Sequence, residues 1–221
     1  MKNSSNKNFE CVILTNESDI SILKNIKFPI DVGITTAKNL IEDIKSNILN
    51  YDYIIHTNCD YDDFFHKNNI SIIQKSINFN TTFKIHGFTN GVTLVRGEKT
   101  AYIFKKDYLG IDGFFSCCSS IIYSTKLNFT NEFPYLIHDV AKKYGGNHPK
   151  WKHIIEAEYK NWGLLKLDND FFDSFDDGIP RWIWIRQPSS ITTKKIIEEN
   201  KNMHISEIQV ILNFKDYGYE Y

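Results

Sequence analysis

The chain has 221 residues, 42% of them hydrophobic and 14% aromatic, which suits one large globular domain or a core domain with a small appendage. Lys and Arg number 26 against 27 Asp and Glu, for a formal net charge of −1, so no global basic field recruits nucleic acid or an acidic membrane. No apolar run approaches a membrane span, and the N-terminus lacks the long apolar region of a signal peptide. The expectation is a soluble, cytoplasmic protein.

From the N-terminus, "CVILT" (11–15) predicts a buried strand and "SDISILKNI" (18–26) a short helix with Ser18 as N-cap. "FPIDVGIT" (28–35) predicts a second strand. In the next segment Ala37, Leu40, Ile41, Ile44 and Ile48 fall on one helical stripe. "YDYIIHT" (51–57) predicts a third strand, and a helix follows near 68–78. Alternation of this kind predicts an α/β domain with a parallel sheet, whose ligands bind outside the carboxyl ends of its strands.

The middle of the chain changes character. "FKIHGFTNGVTLVRGEKTAYIF" (83–104) is rich in β formers, with turn signals at "TNG" and "RGEK". "GFFSCCSSIIYS" (113–124) predicts another strand. Helices are expected at 132–144 and 149–161, and a strand at 163–168. "RWIWIRQ" (181–187) alternates, with Trp182 and Trp184 on one face and Ile183 and Ile185 on the other. A lysine-rich helix at 191–202 and an aromatic tail close the chain. No repeat or long linker divides it, so residues 1–221 are read as one domain. The halves are about 10–80 and 81–221.

One short stretch carries the chemistry. Directly after the third predicted strand come three carboxylates within four residues: Asp60, Asp62 and Asp63. In an extended segment Asp60 and Asp62 point to the same side. Together they suit a hard cation such as Mg²⁺ or Mn²⁺, which takes oxygen ligands and shares them with phosphate. The competing reading is a solvated acidic turn. The four cysteines (11, 59, 117 and 118) show no CxxC spacing, and a reduced compartment fits them. Cys117 and Cys118 read as buried, inert thiols.

The stretch "YDYIIHTNCDYDDFFHKNN" resembles the end of the nucleotide-binding half of a GT-A glycosyltransferase, where an apolar strand runs into a D-x-D motif and then a helix. "FFSCCSSIIYSTKL" and "LIHDV" extend the likeness loosely over residues 10–170. The resemblance implies a mixed, Rossmann-like central sheet with flanking helices, and antiparallel strands in the acceptor-side half. It implies a metal held by Asp60 and Asp62 against the diphosphate of a nucleotide sugar, first a UDP-sugar. The acceptor would be a glycan or lipid-linked glycan of a surface polysaccharide, met in the cytoplasm or at the inner face of the membrane.

By that resemblance Asp139 is the first candidate for the base, against the competing reading of a carboxylate complementing a helix N-terminus. Glu156, Glu158 and the pair Asp176–Asp177 are its rivals. His148 is a candidate late metal ligand. Thr15, Asn16 and Glu17 are candidates for contacts to the nucleobase or ribose. Arg181 and Arg186 are candidates to clamp the diphosphate, with a snorkelling Arg as the plain alternative. Two other classes stay open: nucleotidyl transfer onto a sugar phosphate, and a non-catalytic carbohydrate-binding or structural protein. No P-loop, G-x-G-x-x-G, G-x-S-x-G or H-E-x-x-H occurs in the chain.

Overall fold

A computed structural model describes residues 9–28, 31–47, 50–57, 59, 63–78, 81–105, 120–126, 160, 172–189, 193–194, 197–198 and 201–217. The predicted helices at 132–144 and 149–161 and the strand at 163–168 lie outside them.

The N-terminal portion follows the expected alternation. β1 (Val12–Leu14) leads through α1 (Glu17–Lys24) to β2 (Gly33–Thr35), and the two strands pair in parallel, followed by α2 (Ala37–Asn47). The α2 stripe is legible in the burial pattern: Ala37, Leu40, Ile41 and Ile44 are half-buried between exposed neighbours. Ser18 lies inside α1, donating to Asp19 at 3.0 Å, so Asn16 takes the N-cap position.

The expected parallel sheet does not extend to the third strand. β3 (Tyr53–Thr57) pairs antiparallel with β8 (Ser120–Ser124), which pairs antiparallel with β5 (Phe83–Phe88). β5 in turn pairs in parallel with β9 (Phe172–Phe175), giving the order β3-β8-β5-β9. A second sheet of five strands has the order β11-β7-β6-β10-β4. It comprises β4 (Asp63–Phe65), β6 (Asn90–Val95), β7 (Thr100–Lys105), β10 (Trp182–Arg186) and β11 (Lys201–His204). The class is mixed α/β with few helices, and both larger sheets mix parallel and antiparallel pairs. The predicted helix at 191–202 ends early, because residues 201–204 form β11 on the edge of β7.

The two larger sheets share one core. Phe88 and Ile122 of the four-stranded sheet cluster with Val95, Tyr102, Trp182 and Trp184 of the five-stranded sheet. Ile73 of α3 (Asn69–Lys75) joins the same cluster. The alternation read in 181–187 is obeyed, since Ile183 points to the opposite side of its sheet. There, with Val92, Leu94 and Ala101, it meets Ile205 and Ile208 of α4 (Ile205–Ile211). A capping box starts α4: His204 Nδ1 accepts from the Ser206 N–H, and Glu207 accepts from the His204 N–H at 2.9 Å. Part of the aromatic tail packs on this core, with Phe214 and Tyr217 buried in a closing 3₁₀ turn.

The crossings between the two sheets set up one edge of the molecule. β3, β5 and β9 run in the same direction. Each passes at its carboxyl end straight into a strand of the other sheet: β3 into β4 through residues 58–62, β5 into β6 through Thr89, and β9 into β10 through residues 176–181. Three separate connections therefore leave from a single sheet edge, and the D-x-D segment is one of them.

Candidate functional site

Set back from that edge, a row of polar side chains crosses the four-stranded sheet. Thr57, Ser120, His86 and Asp173 are consecutive cross-strand partners along β3, β8, β5 and β9. Such partners share a face, so the four side chains form one row across the sheet. Thr57 Oγ1 and Ser120 Oγ lie 2.7 Å apart. His86 Nδ1 lies 3.0 Å from Asp173 Oδ2. Ser120 and His86 are essentially without solvent exposure. Lys84, two residues before His86 on the same face, brings its ammonium to 3.6 Å from Asp173 Oδ2.

This row fixes the chemistry of the imidazole. The Asp173 carboxyl is held below its ordinary range, first by the hydrogen bond from His86, with burial opposing and the charges of His86 and Lys84 assisting. An ionised carboxylate only accepts, so Nδ1 must be the donor. The other nitrogen, Nε2, is buried and has no hydrogen-bond partner among the described residues. The Phe88 and Phe175 rings flank the imidazole, with centroids at 5.2 and 6.4 Å.

A second network lies where the β9–β10 connection meets the end of β4. Asp176 accepts from the Asn90 side chain and from the Gly178 N–H, and Gly178 has φ 78°. The "DDG" string is thus a left-handed turn suited to glycine. Arg181 is buried; its guanidinium engages both oxygens of Asp177 and lies 3.0 Å from His66 Nδ1. Burial tends to raise the Asp177 carboxyl, but the Arg181 and Ile179 hydrogen bonds and the guanidinium charge outweigh it and hold it low.

Burial, and next the Arg181 charge, push His66 down to about 4. In the unfolded chain this histidine takes a proton near 6.5. Between those values the unfolded state holds more protons, so stability falls as pH is lowered. The contribution is complete above about pH 6.5, and about 3 kcal/mol of it is lost on the way down to pH 4. We expect His66→Gln to flatten that slope in denaturant titrations from pH 7 to pH 4; an unchanged slope would assign the acid sensitivity elsewhere.

No family model, no curated protein and no solved structure matches the chain. The site must therefore be judged on its own residues. Asp60, Asp62, Asp139, Glu156, Glu158 and His148 lie outside the described residues, as do Cys117 and Cys118. Among the described residues there is no group of three His, Cys, Asp or Glu side chains able to hold a metal. Asp63 opens β4 opposite Trp184, with both carboxylate oxygens out of contact with solvent. The end of the acidic cluster therefore belongs to the protein interior.

Thr15 follows β1, with its N–H on the Thr35 carbonyl at 3.0 Å, and Asn16 and Glu17 start α1. They sit together at the carboxyl end of β1, on the separate two-stranded sheet. Arg181 is committed to Asp177 and His66, whereas Arg186 lies over the Trp184 ring at 4.6 Å. Sequence reading missed His86, Asp173, Thr57 and Ser120. Each is an ordinary polar residue inside a β-forming run, and only the register brings them together.

Proposed function

We propose that the chain is a metal-dependent glycosyltransferase of GT-A-like fold, moving a sugar from a nucleotide-diphosphate donor to a glycan acceptor. What supports this reading is the position in the chain of the carboxylate-rich connection, between β3 and β4. In the chain this connection follows directly on β3, whose last residue, Thr57, begins the polar row that runs on through Ser120, His86 and Asp173. Closely spaced carboxylates that follow the carboxyl end of a strand suit a hard cation, which takes oxygen ligands. Asp60 and Asp62 would hold Mn²⁺ or Mg²⁺, and the metal would neutralise the departing diphosphate. Thr15, Asn16 and Glu17 remain candidates for the nucleoside, and Arg186 for the diphosphate. A surface polysaccharide is the proposed destination of the sugar.

Melting temperature read with UDP, GDP and CDP, with and without Mn²⁺, tests the proposal. At least one nucleotide should stabilise the wild type only when Mn²⁺ is present, with UDP first in order, and a nucleotide at 100 times its dissociation constant contributes about 2.7 kcal/mol. Asp62→Asn should remove that stabilisation while leaving the ligand-free melting temperature unchanged. Metal-independent behaviour with all three nucleotides would remove the proposal. Among the described residues no helix is long and apolar enough to cross a membrane.

A further inference from the structure

We propose that His66 is a proton-operated latch on the closing 3₁₀ turn: when its imidazole takes a proton, the Asp216–Tyr217 end of that turn lifts away from the end of β4. The inference stands apart from the transferase reading and goes beyond the effect of His66 on overall stability. Its starting point is the geometry at one nitrogen. His66 Nδ1 accepts from the Asn68 N–H at 3.2 Å and from Arg181 Nη1 at 3.0 Å. Neither a backbone N–H nor a guanidinium can accept, so Nδ1 keeps its lone pair and the neutral ring carries its proton on Nε2. A second proton must go to Nδ1. There it would face two donors, one of them on a positive charge, in a corner where His66, Arg181 and Tyr217 are all buried.

The ring must then turn away, and the fold decides which neighbour gives. Arg181 is anchored: its guanidinium forks onto Asp177, and its carbonyl accepts from the His66 N–H at 3.1 Å, next to the β4–β10 pairing. The His66 carbonyl is held by the Asn69 N–H at 3.0 Å. Tyr217 is the neighbour outside the sheet. Its ring meets the imidazole edge-on, with centroids 5.1 Å apart, and its hydroxyl donates to the Pro180 carbonyl. Beside it the Lys67 N–H donates to the Asp216 carbonyl at 2.7 Å, and the Lys67 ammonium pairs at 2.7 Å with the Asp216 carboxylate in partial contact with solvent. Displacing Tyr217 and Asp216 breaks no strand pairing, whereas displacing Arg181 would.

The charges around the ring agree with this geometry. Burial opposes an imidazolium first, then Arg181 and also Lys67, while Asp216 and Asp177 favour one without outweighing them; the docked ring takes its proton at about 4. The Tyr217 hydroxyl keeps its proton throughout, because burial pushes it up. Once clear of the corner, the ring titrates at about 6.5. Between those values the undocked form holds more protons, so docking weakens as pH falls, approaching tenfold per pH unit.

Hydrogen exchange at single amides of the full chain tests the latch, with each rate corrected for the intrinsic rate at its pH. The Lys67 amide reports docking, and amides within β6 and β10 report the sheet. Lys67 should be at least about tenfold less protected than those at every pH, which marks a local opening. From pH 6 to pH 4.5 its protection should fall about 20-fold. His66→Gln can still accept at the corner but cannot titrate there, and its Lys67 protection should stay level. Asp216→Asn removes the competing carboxylate; it should lower the protection at all pH values and keep the fall. Level protection in the wild type, equal protection of Lys67 and the sheet, or an undiminished fall in His66→Gln overturns the proposal. A fall that vanishes in Asp216→Asn overturns it too, in favour of the carboxylate. Long-range ¹H–¹⁵N spectra of the wild type at pH 7 cover a variant that fails to fold: they should show His66 protonated at Nε2 and bare at Nδ1, and the opposite tautomer removes the latch.

Discussion

Gly91→Ala is expected to be the most damaging single-methyl change among the described glycines. Gly91 sits in β6 directly opposite Trp182 in the parallel β6–β10 pair. A Cβ built on it would lie 2.1 Å from the Cδ2 and Cε2 atoms of the indole, well inside any tolerated carbon–carbon contact. The ring has nowhere to go. Trp182 is 1% exposed, its Nε1–H donates to the Phe88 carbonyl at 3.2 Å, and it packs against the tilted Trp184 ring with centroids 4.5 Å apart. Moving it would break that bond and disturb the core shared by the two larger sheets.

Overpacking of this severity costs about 3 kcal/mol or more. For a chain of this size the melting temperature should drop by about 10 °C. The decisive control is the same change in a Trp182→Leu background. With the indole gone, the alanine methyl should cost much less, so the two changes should be strongly non-additive. Additive effects would show that the ring is not what requires glycine there.

The contrast between Gly91 and the alternation around it shows where sequence was informative. Local patterns carried through: the α2 stripe, the Trp182/Ile183/Trp184 alternation, the strands within 83–104 and the turn at "RGEK", where Gly97 has φ 82°. Each is set by neighbours a few residues apart, and that is the range over which period and turn chemistry act. Pairing over long distance was not legible. β3 joins a strand more than sixty residues downstream, and nothing in "YDYIIHT" distinguishes that partner from β2.

The sequence-based parallel sheet failed for this reason. The β-former pattern gives no direction of pairing, so a strand–helix alternation can stop after two strands. β4 escaped notice because it has three residues and starts on an aspartate. α4 escaped because a histidine occupies the cap position where Ser, Thr, Asp or Asn would be expected. The polar row is the extreme case. His86 and Asp173 are separated by 87 positions and meet through a parallel register that no motif announces. The D-x-D string was visible for the opposite reason: its carboxylates are adjacent in the chain.

Arg181→Ala should rank next in damage, and it separates a structural arginine from a ligand-binding one. Sequence alone offers this arginine to a diphosphate; in the fold its guanidinium forks onto Asp177 and reaches His66 Nδ1 at 3.0 Å. Its backbone ties the same corner. The Arg181 N–H donates to the Asn90 carbonyl at 2.8 Å, and its carbonyl accepts from the His66 N–H and the Asn69 side chain. Truncation leaves these backbone bonds in place and removes only the cation.

Asp177 then loses both of its guanidinium contacts, and His66 keeps only the Asn68 N–H on Nδ1, at 3.2 Å. Arg181 is buried but the Asp177 carboxylate stays partly in solvent, so the loss is that of charged hydrogen bonds, about 1.5–3 kcal/mol. Denaturant unfolding of the ligand-free protein should show that loss in full. Arg181→Lys should recover part of it, because a lysine keeps the charge but cannot match both carboxylate oxygens and the imidazole at once. Asp177→Ala with Arg181→Ala should cost less than the two separate losses added together. A silent Arg181→Ala in the ligand-free protein, combined with a lost Mn²⁺–UDP effect, would return this arginine to the diphosphate and strip the corner of its structural role.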